Sequence, residues 1–223
     1  MRFLTVALMF IIAMVTPSFG QNSIYLDQIG SSTTITIEQV GTNNSVGTSS
    51  ARSGSTGSSN SITMTQTGSG NIGNFNILGS NNTYTTTVTG DTNTVNLTCG
   101  NSTTSCSSST ITETITGNSN VLTTTMRGQN IQTTTAVTGD SNTITNNFSV
   151  SNSINSQTIA GSNNTLTSTQ EGVGGASGHR LTVGITGNSN NVTTYQGGAV
   201  DSTINLSVVG STNTISLRSS TTN

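Results

Sequence analysis

Turn glycines recur every eleven residues along this chain, and a unit that short can bury its apolar side only by stacking on copies of itself. Gly30 and Gly41, Gly57 to Gly68 to Gly79 to Gly90, Gly117 to Gly128 to Gly139, Gly161 and Gly172, and Gly187 and Gly198 all keep the spacing. Three residues after these glycines an asparagine returns: Asn44, Asn71, Asn82, Asn93, Asn120, Asn142, Asn164, Asn190 and, after Gly210, Asn213. Gly and Asn tolerate positive φ best, so Gly-x-x-Asn reads as a tight turn. Asp91 and Asp140 follow turn glycines, where an Asp is expected to bond the backbone of its own turn.

Between turns the chain alternates. In Thr34-Ile35-Thr36-Ile37-Glu38-Gln39 and Thr94-Val95-Asn96-Leu97 one parity is aliphatic and the other polar, as in a strand with one buried face. Thr, Val and Ile also suit a pleated surface through their branched Cβ. The parity places Ile35, Ile37, Val95, Leu97, Ile115, Met126, Val137, Ile144, Ile159, Leu166, Ile185, Val208, Ile215 and Leu217 inside. Eleven residues make one short strand and a turn, and two such units close a flattened coil of about 22 residues, coils stacking about 4.8 Å apart. The predicted fold is an all-β solenoid of two-strand coils with parallel cross-β stacking.

The register breaks at three places. Residues 47–56, 100–109 and 172–178 are Ser-, Gly- and Thr-rich insertions, read as loops at one edge of the stack, and Val150 stands where a turn glycine is due. The repeat domain is expected to occupy 21–223. Residues 1–20 read as a secretory signal peptide: Arg2 supplies the positive start, Phe3 to Val15 the apolar run, and Ser18-Phe19-Gly20 the small residues at the cleavage positions. No later segment is apolar enough to span a bilayer as a helix. Export places Cys99 and Cys106 in an oxidising compartment, where they are candidates for a disulfide bracing the second insertion.

Composition narrows the function. Only 29% of residues are hydrophobic and 5% charged, with a net charge of −2 and one proline. That is too little charge for a disordered polyelectrolyte, and the five dispersed Arg, without any Lys, exclude a phosphate-binding surface. Asp27, Glu38, Asp91, Glu113, Asp140, Glu171 and Asp201 are scattered, and His179, the only histidine, falls beside the third insertion, where a loop position is expected. Neither a nucleophile elbow nor a phosphate loop is present. The expectation is a non-enzymatic chain without metal or cofactor.

Five times a Gln precedes the turn glycine by two residues: Gln28, Gln39, Gln66, Gln170 and Gln196. Gln39-Val40-Gly41-Thr42-Asn43-Asn44 and Gln66-Thr67-Gly68-Ser69-Gly70-Asn71 run on to the asparagine. This resembles the curlin repeat of bacterial curli subunits, Ser-x5-Gln-x-Gly-x2-Asn-x-Ala-x3-Gln, with Asn22 in place of the Ser, Thr33 of the Asn and Ile35 of the Ala. In most other units an aliphatic residue, such as Val88, Ile115 or Met126, replaces the inward Gln. The resemblance implies a ladder of inward Gln and a secreted functional amyloid, a subunit that adds to copies of itself in extracellular fibres for biofilm matrix, adhesion and aggregation. By analogy it implies a nucleator subunit and an outer-membrane export channel as partners.

A rival reading comes from the outward parity. Thr34-x-Thr36, Thr83-x-Thr85-x-Thr87, Thr123-x-Thr125 and Thr165-x-Thr167-x-Thr169 would stack into a flat Thr array resembling the faces of ice-binding solenoids. An ice-binding or surface-adhesin role is therefore the alternative. Asn96, Asn147, Asn191, Glu38, Tyr195 and Arg218 are expected to interrupt that array and favour the fibre.

Overall fold

A computed structural model describes residues 20–172 and 175–221. The expected signal peptide lies outside the described residues except for Gly20. The described chain is an all-β solenoid in which every paired strand runs parallel to its neighbour, the pattern an eleven-residue strand-and-turn unit dictates once coils stack.

Two sheets back onto each other. In sheet I nine rungs follow in order: Ser23–Ile24 with Leu26–Ile29, Ser45–Val46 with Ser53–Thr56, Ile72–Leu78, Thr94–Cys99, Val121–Met126, Thr143–Phe148, Thr165–Glu171, Asn191–Gly198 and Thr214–Thr221. Sheet II has eight: Thr34–Thr42, Ser61–Ser69, Thr83–Thr89, Thr110–Thr116, Gln132–Thr138, Ile154–Ala160, Arg180–Thr186 and Thr203–Val209. The chain crosses from sheet II to sheet I through one arc of turns, which we call the regular arc, and returns through a second, irregular arc.

Neighbouring coils are offset by 22 residues where nothing is inserted, except the last at 23, by 27 across each of the first two insertions and by 26 across the third. The extra residues are fewer than the composition suggests. Strand pairing resumes at Ser53 and again at Cys106, so the first two loops reduce to 47–52 and 100–105. Cys99 and Cys106 form a disulfide. Their partners on the next coil, Met126 and Gly128, are only two residues apart, so the bond closes the mouth of the second loop and lets the coil continue. In the third insertion Asp201 holds the loop, accepting from the backbone N–H of Gly175 at 2.7 Å and of Ser177 at 3.0 Å.

The core follows the parity. Val95, Leu97, Ile115, Met126, Val137, Ile144, Ile159, Leu166, Ile185 and Val208 are buried, while Ile35, Ile37, Ile215 and Leu217 have the same inward parity but lie on end rungs and stay partly open. Phe75 and Tyr84 meet across the two sheets with ring centroids 6.0 Å apart. The middle of the core, however, is polar. Glu113, Thr124, Asn146, Thr135, Gln157, Ser168 and Thr194, all buried, form a connected seam between the sheets. Thr124 donates to the Glu113 carboxylate at 2.7 Å, Gln157 donates to Ser168 at 3.0 Å, and Thr194 donates to Ser168 at 3.1 Å.

Glu113 is thus no scattered surface carboxylate. Thr110-Ile111-Thr112-Glu113-Thr114-Ile115 puts it on the parity of the two isoleucines, and it is fully buried. Burial pushes its carboxyl up to about 7, against the opposing effect of the Thr124 hydrogen bond. The same burial, and next the Glu113 charge, push the Tyr84 phenol up. The folded state therefore holds the Glu113 proton more tightly than the unfolded chain does. Its contribution to stability is fullest below the ordinary carboxylate range and is lost as pH rises through about 7. Glu113→Gln is expected to abolish this fall, worth of the order of 3 kcal/mol, in denaturant midpoints measured across that window; an unchanged pH profile would contradict the buried placement.

Candidate assembly surface

The turns of the regular arc carry the closest contacts between coils. Each begins with a glycine at strongly positive φ, +123° at Gly68 and +121° at Gly139, and a Cβ there would sit about 2 Å from the next coil's glycine carbonyl oxygen. Gly41, Gly68, Gly90, Gly117, Gly139, Gly161 and Gly187 stack in this way, and Gly210 receives the last of them. The second left-handed residue of the turn is not the asparagine expected from the sequence. It is the residue just before it, as at Asn43, Thr92, Ser119, Ser141, Asn163, Ser189 and Thr212.

The asparagine is left free for another task. Asn44, Asn71, Asn93, Asn120, Asn142, Asn164, Asn190 and Asn213 are stacked in an uninterrupted ladder. Oδ1 of Asn71 accepts from the backbone N–H of Asn93 at 2.9 Å and from its Nδ2 at 3.1 Å, while Nδ2 of Asn71 donates to the Gly90 carbonyl at 2.7 Å. Each side chain thus satisfies the turn of the following coil. Buried backbone groups need such partners, and the Asn amide presents an acceptor oxygen and a separate NH2 donor, so one side chain serves an N–H and a carbonyl of the next coil at once. Asn22, placed in the sequence pattern at the position of a Ser, starts the ladder by accepting from Asn44 N–H at 2.9 Å.

A second ladder runs outside the first, and it corrects the expectation for the aspartates. Asp91 accepts from the backbone N–H of Ser69 and Asp140 from that of Asn118, each at 2.7 Å and each from the preceding coil, not from its own turn. Asn118 accepts from Asp91 N–H, and Asn188 from Ser162 N–H, in the same column. A neighbouring coil is nearer to these side chains than the far side of their own turn.

The irregular arc keeps the plan with less discipline. Gly30, Gly57 and Gly79 start its turns, but Val150 is buried without a positive φ, and the glycine stacking fails there: a Cβ on Gly128 would meet Ser151. Asn60, Asn82, Ser109, Ile131, Ser153 and His179 succeed one another at the ladder position, with Asn82 N–H donating to Asn60 at 3.0 Å. Asn60 was legible as Gly57-x-x-Asn60. His179 is a correction: it is fully buried at a ladder position, its Nδ1 accepting from the Ser202 N–H at 3.2 Å.

The five glutamines do not make one ladder. Gln39 and Gln66 stack on sheet II, Nε2 to Oε1 at 2.9 Å, and Gln170 and Gln196 stack on sheet I at 2.8 Å. Val88 follows Gln66 in register and ends the first pair. Gln28 has inward parity but stands on the first rung and is exposed.

Residues 33–68, the stretch that holds the Gln39–Gln66 pair and one complete coil, match the curlin associated repeat family. The chain carries a curlin repeat. No curated protein and no solved structure matches the chain. The match and the stacked solenoid together are those of a structural repeat. Among the described residues no group of His, Cys, Asp or Glu converges as a metal site, and no helix is long and apolar enough to cross a membrane.

The two outer faces of the stack differ. Asn96, Asn147, Asn191, Tyr195 and Arg218, expected to interrupt the Thr array, all lie on sheet I; only Glu38 lies on sheet II. Sheet I uses its outward groups internally: Asn74 donates to Asn96 at 2.8 Å, Tyr195 to Glu171 at 2.6 Å, and Arg218 lies over the Tyr195 ring. On sheet II, Thr63, Thr65, Thr85, Thr87, Thr112 and Thr114 stand in register on three successive rungs. Their hydroxyls bond no other protein group among the described residues.

Gly68 and Gly184 test the turn account together. A Cβ at Gly184 meets nothing within 4 Å and needs no positive φ. Gly68→Val is expected to cost several kcal/mol and to slow any assembly, whereas Gly184→Ala is expected to be neutral or slightly stabilising; equal effects in thermal unfolding would contradict the stacked turn.

Proposed function

We propose that this protein is a secreted structural subunit that assembles head to tail with copies of itself into extracellular, amyloid-like, curli-like fibres serving biofilm matrix, adhesion and aggregation. The observation that carries this reading is the state of the end rungs. Among the described residues Thr34–Thr42 pairs only with Ser61–Ser69, and Thr203–Val209 only with Arg180–Thr186, so one row of backbone N–H and C=O groups on each lacks a strand partner there, the Gln39 and Gly41 carbonyls accepting only from the Asn22 side chain. Inward residues on these rungs, Ile35, Ile37 and Leu206, are only partly buried. Unpaired edges with matching geometry at the two ends of one stack favour open, heterologous addition, which gives filaments. By analogy with curli, export through an outer-membrane channel and a nucleator subunit complete the system.

Electron microscopy of the mature protein, followed over hours after dilution from denaturant, tests the reading. Unbranched fibres that appear after a lag shortened by preformed seeds are expected; a persistently monomeric, folded β protein would overturn it.

The bare Thr array of sheet II favours a second reading, binding to a crystalline water surface. A flat, nearly uncharged face with free hydroxyls and methyls spaced by strand separation and by alternate residues presents a regular two-dimensional lattice. Inhibition of ice recrystallisation, lost in Thr85→Lys and kept in Asn96→Lys on sheet I, would support it; no inhibition by the parent protein would dismiss it.

A further inference from the structure

Sheet I has nine rungs and sheet II eight, so the described stack consists of an odd number of half-coils. This has a geometric consequence for a second copy. The last rung, Thr214–Thr221, lies on sheet I, half a coil beyond Thr203–Val209 on sheet II. If the next copy were placed in the same orientation, its first rung, residues 23–29 in sheet I, would sit on Thr214–Thr221. The edge of Thr203–Val209 would then face a gap one rung deep. Turning the next copy by half a turn about the stack axis removes the gap.

We propose that successive copies add with this half-turn, sheet I of one copy continuing as sheet II of the next. The proposal rests on the fibre reading and specifies its interface. The eleven-residue half repeat makes the two sheets interchangeable in register. Thr203–Val209 then pairs with residues 23–29 of the next copy, and Thr214–Thr221 with residues 34–41.

The residues brought together support the register. Val209 is 78% exposed and Ile29 66%, the two most exposed large apolar side chains among the described residues. They become cross-strand neighbours. Ile204 meets Ile24, Leu206 meets Leu26, Ile215 meets Ile35 and Leu217 meets Ile37, each pair sharing inward parity. On the outer face Arg218 comes beside Glu38, an opposite-charge cross-strand pair of the kind that stabilises sheets and fixes register. Glu38 makes no salt bridge within its own copy among the described residues, and Arg218 has only the Tyr195 ring, 4.3 Å away. Gly210 falls on Gly30, keeping glycine on glycine through the joint. The unrotated arrangement would instead place Arg218 beside Asp27, which already pairs with Arg52 at 3.5 Å, and would leave Val209 uncovered.

Cysteine pairs distinguish the two joints, because both report on outward, exposed positions. Fibres of the mature Glu38→Cys/Arg218→Cys protein, mildly oxidised with the native disulfide retained, are expected to give a ladder of covalent multimers under denaturing electrophoresis. Fibres of Asp27→Cys/Arg218→Cys are expected to stay monomeric. A ladder from the Asp27 pair, or from neither pair in samples that form fibres, would overturn the half-turn while leaving the fibre reading intact; absence of fibres from the parent protein would overturn both. Charge exchange gives an independent readout: Glu38→Arg or Arg218→Glu alone should slow seeded elongation severalfold, and the double exchange should restore it. Failure of the double exchange to recover would count against the pairing.

Discussion

The distance between stacked coils at the turns governs this structure. Backbone strands pair about 4.8 Å apart, and where the chain reverses, the carbonyl of one turn lies so near the next that no Cβ fits between them. Glycine at Gly68, Gly90, Gly117 and Gly139 is therefore a requirement of stacking as much as of φ. The same closeness strands the polar backbone groups of each turn away from water. Asn71, Asn93, Asn120 and their counterparts supply both a donor and an acceptor at that spacing, and so turn a steric constraint into a continuous hydrogen-bonded column.

That column explains how a chain with few apolar residues holds a fold. The hydrophobic core is narrow, and its middle coils fill with Glu113, Thr124, Asn146, Gln157 and Ser168 in place of aliphatic side chains. Burying such groups is unfavourable unless they are bonded, and not all are: Oε1 of Glu113, the Tyr84 hydroxyl and Oδ1 of Asn146 have no partner among the described residues. The ladders on the regular arc and the parallel backbone pairing must offset this. The arc without a complete ladder is also the one that takes up the second and third insertions, the disulfide and Val150.

The period of eleven and the alternating parity, read from Gly68, Asn71, Ile35 and Val95 alone, were enough to place sheets, coils and core. What they could not supply was anything between coils. A sequence pattern treats each turn by itself, so Asp91 and Asp140 were assigned to their own turns and Asn44 to a backbone role, although both kinds of side chain serve the neighbouring coil. Glu113 and His179 were missed for a related reason: charge and a nearby insertion outweighed a parity and a turn offset that placed both inside. The outward Thr divide between two faces, because Thr83–Thr89 belongs to sheet II and Thr165–Glu171 to sheet I, a distinction that parity alone does not carry. The Gln resemblance located residues 33–68 well, but pairing of Gln39 with Gln66 and of Gln170 with Gln196 depends on which coils touch.

In the proposed fibre one chain supplies many successive rungs, so that a residue stacks on different residues of its own chain. In ordinary in-register amyloid each residue stacks on itself about 4.8 Å away. A single nitroxide at Thr114→Cys, on the outer face of sheet II, separates the two. Fibres built from this solenoid predict spin labels about 40 Å apart and a spectrum without exchange narrowing. A single exchange-narrowed line would show labels stacked rung upon rung and would contradict the account.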